Sequence, residues 1–145
     1  MKIEDPEFFR EILVVFREEA SQHIKTMLEK ATRFEQGIDG GNRESEEIEV
    51  FFRSAHSFKG AARTVGLEQL ESIGKHIERI LGLCKNNQAV LKREDMVQLK
   101  GCIQGLGELV QTLDDEGQTA ADTLHLNERC AKLEAGLVQE EKETA

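Results

Sequence analysis

The chain has 145 residues, the length of one ordinary domain, with 39% hydrophobic and 32% charged residues, one Pro, and no Trp or Tyr. That is enough apolar material for a core, and a composition so poor in Pro, aromatic and β-branched residues predicts an all-α fold and excludes an all-β one. The formal net charge of −9 disfavours binding to nucleic acid or to an anionic membrane surface.

In chain order, Asp5-Pro6 predicts a helix start, because Asp can cap free N–H groups and Pro is tolerated in the first turn. Apolar residues at Phe9, Ile12, Phe16, Ala20, Ile24, Met27, Ala31 and Phe34 follow in steps of three and four, the pattern of one long amphipathic helix. The segment Gly37-Ile38-Asp39-Gly40-Gly41-Asn42 predicts its end and a loop. A second helix is expected from Ser45, with Glu46, Glu47 and Glu49 suiting its positive N-terminus. Its seam is Ile48, Phe51, Ala55, Phe58, Ala62 and Val65, and Gly66 stops it. A third helix carries Leu70, Ile73, Ile77, Ile80 and Cys84, with a turn at Lys85-Asn86-Asn87-Gln88. The fourth carries Met96, Leu99, Ile103, Leu106, Val110 and Leu113, and ends at Asp114-Asp115-Glu116-Gly117. A weaker stretch, Leu126, Cys130, Leu133 and Leu137, predicts a fifth helix. Residues 139–145 read as a polar tail or the start of a linker.

These elements fold most simply as an antiparallel up-down four-helix bundle spanning residues 1–138, with the fifth helix packed on its end or side. The longest apolar run, Ile12-Leu13-Val14-Val15-Phe16, falls far short of the ~20 residues of a membrane span. The start of the chain has no apolar signal region, which points to a cytoplasmic protein. Cys84, Cys102 and Cys130 form no CxxC pair, so neither a zinc site nor a disulfide framework is expected. A di-metal bundle needs Glu-x-x-His on two helices plus two more carboxylates; only Asp122-Thr123-Leu124-His125 approaches that pattern, and it lies in the weakest helix.

One segment departs from a plain bundle: Ser54-Ala55-His56-Ser57-Phe58-Lys59-Gly60-Ala61-Ala62-Arg63-Thr64-Val65-Gly66. His56 follows the seam residue Ala55 by one position, ~100° around the helix, and so falls on the flank of the core. Gly60 lies one turn further on the same side. A mid-helix Gly costs about 1 kcal/mol relative to Ala, and the missing side chain leaves room for a partner to come close. Between Phe51 and Ile80 the charge is +2, from Arg53, Lys59, Arg63, Lys75 and Arg79 against Glu68, Glu71 and Glu78, while the remainder carries −11. A basic island around one His suits a transient phosphoryl group.

His56-Ser57-Phe58-Lys59-Gly60, followed by Val65-Gly66, resembles the H-x-x-K-G-(five residues)-G motif of histidine phosphotransfer (HPt) domains. Ser54-Ala55-His56-Ser57, Thr64-Val65-Gly66 and the F-x-x-E-A stretch Phe16-Arg17-Glu18-Glu19-Ala20 are most similar to the P1 domains of CheA chemotaxis kinases. The resemblance spans roughly residues 5–115. It implies that His56 is the phosphoacceptor, that Lys59 lies near the phosphoryl oxygens, and that Glu78 hydrogen-bonds His56. Lys75 stands where the family often has a second His, with His76 next to it. The resemblance further implies a docking face around Phe52, Gly60 and Arg63, with Lys75 nearby. The expected partners are a histidine kinase catalytic domain and a response-regulator receiver. No cofactor is expected on this chain, which lacks a GxxxxGK[ST] loop; ATP and Mg²⁺ act through the partners. The domain is expected to be monomeric, either as part of a kinase or as a free-standing shuttle, and a helical adaptor without chemistry is the remaining reading.

Overall fold

The computed structural model describes residues 5–38, 45–119 and 122–144. They form five helices: α1 (Pro6–Ile38), α2 (Ser45–Thr64), α3 (Glu68–Lys85), α4 (Arg93–Gln111) and α5 (Thr123–Thr144). No strand occurs among them. Helices α1 to α4 make the bundle, with α1 against α2 and α4, and α3 against α2. Helix α5 lies along the side of the bundle on α3 and α4.

The helix ends follow the expected chemistry. Asp5 Oδ1 accepts hydrogen bonds from the backbone N–H groups of Glu7 and Phe8, at 3.0 and 3.4 Å, ahead of Pro6. Between α2 and α3 the chain turns through Gly66 at φ 77°, a left-handed conformation that suits a residue without Cβ. After α3, Asn87 takes the same region at φ 58°, and Gln88 N–H returns to the Leu83 carbonyl at 2.8 Å. The Asp95 carboxylate caps α4 by accepting from Lys92 N–H at 2.9 Å. Asp114 shapes the turn after α4, its Oδ1 accepting from the N–H groups of Glu116 and Gln118, each at 2.9 Å.

The core is the predicted set of stripes with small differences. In α1, Leu13 takes the fully buried position while Ile12 and Phe9 pack on the rim, and Phe16, Ala20, Ile24, Met27 and Ala31 continue inward. All six expected seam residues are buried, the last, Val65, in the turn just after α2. Helix α1 does not stop at Gly37 but includes it and ends at Ile38; one glycine costs about 1 kcal/mol, which packing of the preceding turns outweighs. The remainder of that expected loop, residues 39–42, lies outside the described residues. Helix α4 ends at Gln111, before Leu113, which is nevertheless buried, and whose carbonyl accepts from Arg17 of α1 at 2.7 Å. Residues 139–144, expected as a tail, continue α5, since Gln139-Glu140-Glu141-Lys142-Glu143 contains no breaker and good helix formers.

Two contacts fix how α2 lies. Glu47 in its first turn bonds Lys30 and Arg33 of α1, both at 2.9 Å. On its other side, α3 comes so close that a Cβ added at Gly74 would sit 3.0 Å from Phe58 Cδ1 and 3.4 Å from Lys59 Cα. The buried thiols of Cys102 and Cys130, far apart in sequence, meet between α4 and α5. The α2·α3 spacing therefore depends on Gly74. Gly74→Leu is expected to push the helices apart and to cost roughly 1–3 kcal/mol, measured by urea unfolding.

Candidate functional site

The seam of α2 turns Ala55 and Phe58 into the core and leaves His56 on the flank, 63% exposed, as its sequence position requires. Its ring is nevertheless held. His56 Nδ1 lies 2.6 Å from Oε2 of Glu78 on α3, and Phe52, one turn earlier, lies nearly parallel to the imidazole at 16° with centroids 6.5 Å apart. Lys59, one turn after His56, donates from Nζ to the other Glu78 oxygen at 3.0 Å. One carboxylate thus spans two α2 side chains, three positions apart on one helix face.

Glu78 is largely enclosed, at 15% exposure. Burial alone pushes its carboxyl up, but the hydrogen bonds and charges of Lys59 and His56 outweigh this and hold it below its ordinary value of 4.5. Glu78 is therefore ionised near neutral pH and can only accept. It follows that His56 Nδ1 carries the proton, and that in the neutral ring Nε2 holds its lone pair toward the open side. The carboxylate fixes tautomer and orientation together.

Around this centre, Gly60 leaves a gap on the protein surface: a Cβ there would meet nothing within 4 Å. No packing within the described residues requires a glycine at this point. Arg63 and Lys75 are exposed, on α2 and α3 respectively. Neither touches Glu78, whose two oxygens go to His56 and Lys59. Phe52 is only half-exposed; its ring lies against Gly82 of α3, and the Lys85 ammonium sits 4.6 Å from its centroid. Lys85 is in turn 3.3 Å from Glu49, which also pairs with Arg53.

The structure thus brings His56, Lys59, Glu78 and Phe52 together and leaves Gly60, Arg63 and Lys75 on the surrounding surface. Sequence reasoning missed Lys85, because only the α2·α3 packing carries the end of α3 over Phe52. It also left His76 without a partner. His76 points away from His56 and bonds Glu134 of α5. The remaining histidines lie elsewhere: His23 is 3.5 Å from Glu19 on α1, and His125 is exposed in the first turn of α5, its backbone N–H donating to Asp122 at 3.0 Å. Chemically, the arrangement offers a surface imidazole with one nitrogen anchored, the other free, and positive charge close by.

The chain is similar to known proteins. The chain is 32% identical over 133 residues, 92% of its length, to the chemotaxis protein CheA of Listeria monocytogenes and equally to that of Listeria innocua. It spans 20% of the length of those relatives. The fold matches a crystal structure of the phosphorylated P1 domain of CheA3 in complex with CheY6 from R. sphaeroides, with TM-score 0.72 and 18% identity. That match covers 88% of this chain and 98% of the other. The model of the Hpt domain matches residues 11–116, from α1 to the turn after α4 and so including the His56, Lys59 and Glu78 cluster, and the chain belongs to the Hpt domain family.

Proposed function

We propose that His56 is a phosphoryl carrier, loaded from ATP in a separate CheA-type kinase domain and discharged to an aspartate of a response-regulator receiver. The observation that carries this reading is the 2.6 Å hydrogen bond between His56 Nδ1 and the Glu78 carboxylate, which frees Nε2 on an exposed ring. In the loading step the Nε2 lone pair forms a bond to the γ-phosphorus while the bond to the β-bridging oxygen breaks and ADP leaves. The ring becomes cationic as it is phosphorylated, and the fixed negative charge of Glu78 stabilises that change. In the unloading step a receiver carboxylate oxygen attacks phosphorus, the N–P bond breaks, and its electrons return to Nε2.

Lys59 has a structural part in this scheme: it holds the second Glu78 oxygen, and two of its three donors remain for the phosphoryl group. The docking face is the α2 stripe of Phe52, His56, Gly60 and Arg63, with Lys75 on the adjoining side of α3. Its positive charge complements the acidic site of a receiver. ATP and Mg²⁺ belong to the partners. Identity to two CheA chains supports a kinase setting over a free-standing shuttle, and the anchored imidazole supports chemistry over a passive adaptor. No helix among the described residues is long and apolar enough to cross a membrane. The reading is of a cytoplasmic domain that works as a monomer.

Phosphoramidate, or a CheA catalytic fragment with ATP, should add one acid-labile phosphoryl group to the wild type and none to His56→Gln, as read by intact mass. Addition indifferent to His56 would leave the adaptor reading in first place. Glu78→Gln should slow loading by roughly 10- to 100-fold, the usual cost of losing an orienting partner. Because the folded Glu78 titrates below 4.5, its bonds stabilise the fold above that pH and are lost as pH falls through the lower folded value. The stability advantage of the wild type over Glu78→Gln in urea should accordingly shrink below pH 4.5. At Gly60, substitution by Ala should raise helix stability by about 1 kcal/mol. Gly60→Glu should leave the fold intact yet slow transfer to a receiver, by stopped-flow, and an undiminished transfer rate would rule out this docking face.

A further inference from the structure

Helix α5 lies beyond the segment matched by the Hpt family model, residues 11–116, yet it packs on the helix that carries Glu78. His76 and Glu78 are two residues apart on α3, ~200° around its axis. The helix therefore presents Glu78 to α2 and His76 to α5. On the α2 side, the bare backbone at Gly74 lies close against Phe58, and Glu78 bonds His56 and Lys59.

Contacts on the α5 side have direction. Thr123 bonds Gln69 at 2.9 Å, Ser72 bonds Asn127 at 2.8 Å, and His76 Nδ1 bonds Glu134 Oε1 at 2.8 Å. Only the last pair joins two largely enclosed ionisable side chains, 19% and 18% exposed, and it is also the one nearest Glu78 in sequence. The apolar part of the α5 contact is made by buried Leu126, Cys130 and Leu137, with Leu133 half-buried beside them. Hydrogen bonds between enclosed groups require a narrow geometry, whereas apolar contact tolerates a shift in register.

We propose that His76 and Glu134 are positioning residues which, by locking α5 to α3, hold Glu78 at the rotation that sets its carboxylate against His56 Nδ1. The proposal rests on reading His56 as the phosphoacceptor. Loss of the lock lets α3 turn or slide by a fraction of an ångström, lengthens the His56–Glu78 bond, and lets the imidazole populate both tautomers.

The test uses the whole 145-residue chain and two readouts: the ¹⁵N ring pattern of His56, and its rate of phosphorylation by phosphoramidate, which needs no protein partner. Glu134→Ala and His76→Ala should each slow the reaction roughly five-fold. Both should move the His56 ring from the Nδ1–H tautomer toward a mixture, with circular dichroism unchanged. The double variant should be no slower than either single one. Glu134→Gln, which keeps an acceptor, should stay near wild type in both readouts. If Glu134→Ala does not fold, His76→Phe, which keeps a ring but no donor, takes its place with the same expectation.

Folded variants in which α5 amides lose exchange protection, but the His56 ring pattern and rate stay as in the wild type, would overturn the proposal and make α5 a purely structural addition. If the wild type accepts no phosphoryl group on His56, the phosphoacceptor reading fails separately. The ring pattern then still decides whether His76 and Glu134 position Glu78.

Discussion

A single carboxylate organises the functional face of this protein. Glu78 reaches across from α3 and divides its oxygens between His56 and Lys59 of α2. Without it, His56 would be a solvent-exposed side chain with no partner to fix its tautomer. With it, one nitrogen is anchored and the other is free. Glu78 in turn can serve only because the helices lie close: Gly74 allows the α3 backbone to approach Phe58 and Lys59. The same pair also sets the titration of Glu78: burial raises its carboxyl, and Lys59 and His56 bring it below the ordinary value. Geometry and electrostatics at the site are thus one constraint.

The bundle around this point reads as a support for it. The α2 seam from Ile48 to Val65 is buried throughout, and this fixes the rotation of α2 and hence the outward direction of His56. Glu47, paired with Lys30 and Arg33, anchors the start of α2 to α1. The turn at Gly66 returns the chain so that α3 runs alongside α2. Phe52, set against Gly82 and Lys85, walls one side of the imidazole. Gly60 has the opposite character, as nothing in the described residues fills the space its side chain would occupy. Its helix-weakening cost has no compensation among the described residues.

Much of this was legible in the residues themselves. The 3,4 spacing of α2 predicted that Ala55 and Phe58 face inward and that His56 does not, because helix periodicity alone decides which side a residue takes. Caps and breakers such as Asp5-Pro6 and Gly66 acted as written, being local effects. Local signals failed where packing outweighed them. Gly37 is inside α1, and Leu13 takes the fully buried position while Ile12 packs on the rim.

What the sequence determined by itself was the all-α class, the order of the helices, the face each buries and the prominence of His56 within a basic island, since all of these follow from periodicity, capping and charge along one chain. The tertiary structure decided which side chains on different helices meet. Glu78 could have paired with Lys75 on its own helix, but the α2·α3 crossing directs it to His56 and Lys59. His76 could have been a solvated surface residue, but α5 lies over it and supplies Glu134. Cys102 and Cys130 are neighbours only because α5 folds back along α4. Each of these pairings depends on the distance and rotation between two packed helices, which are properties of the assembled core and of no single stretch of sequence.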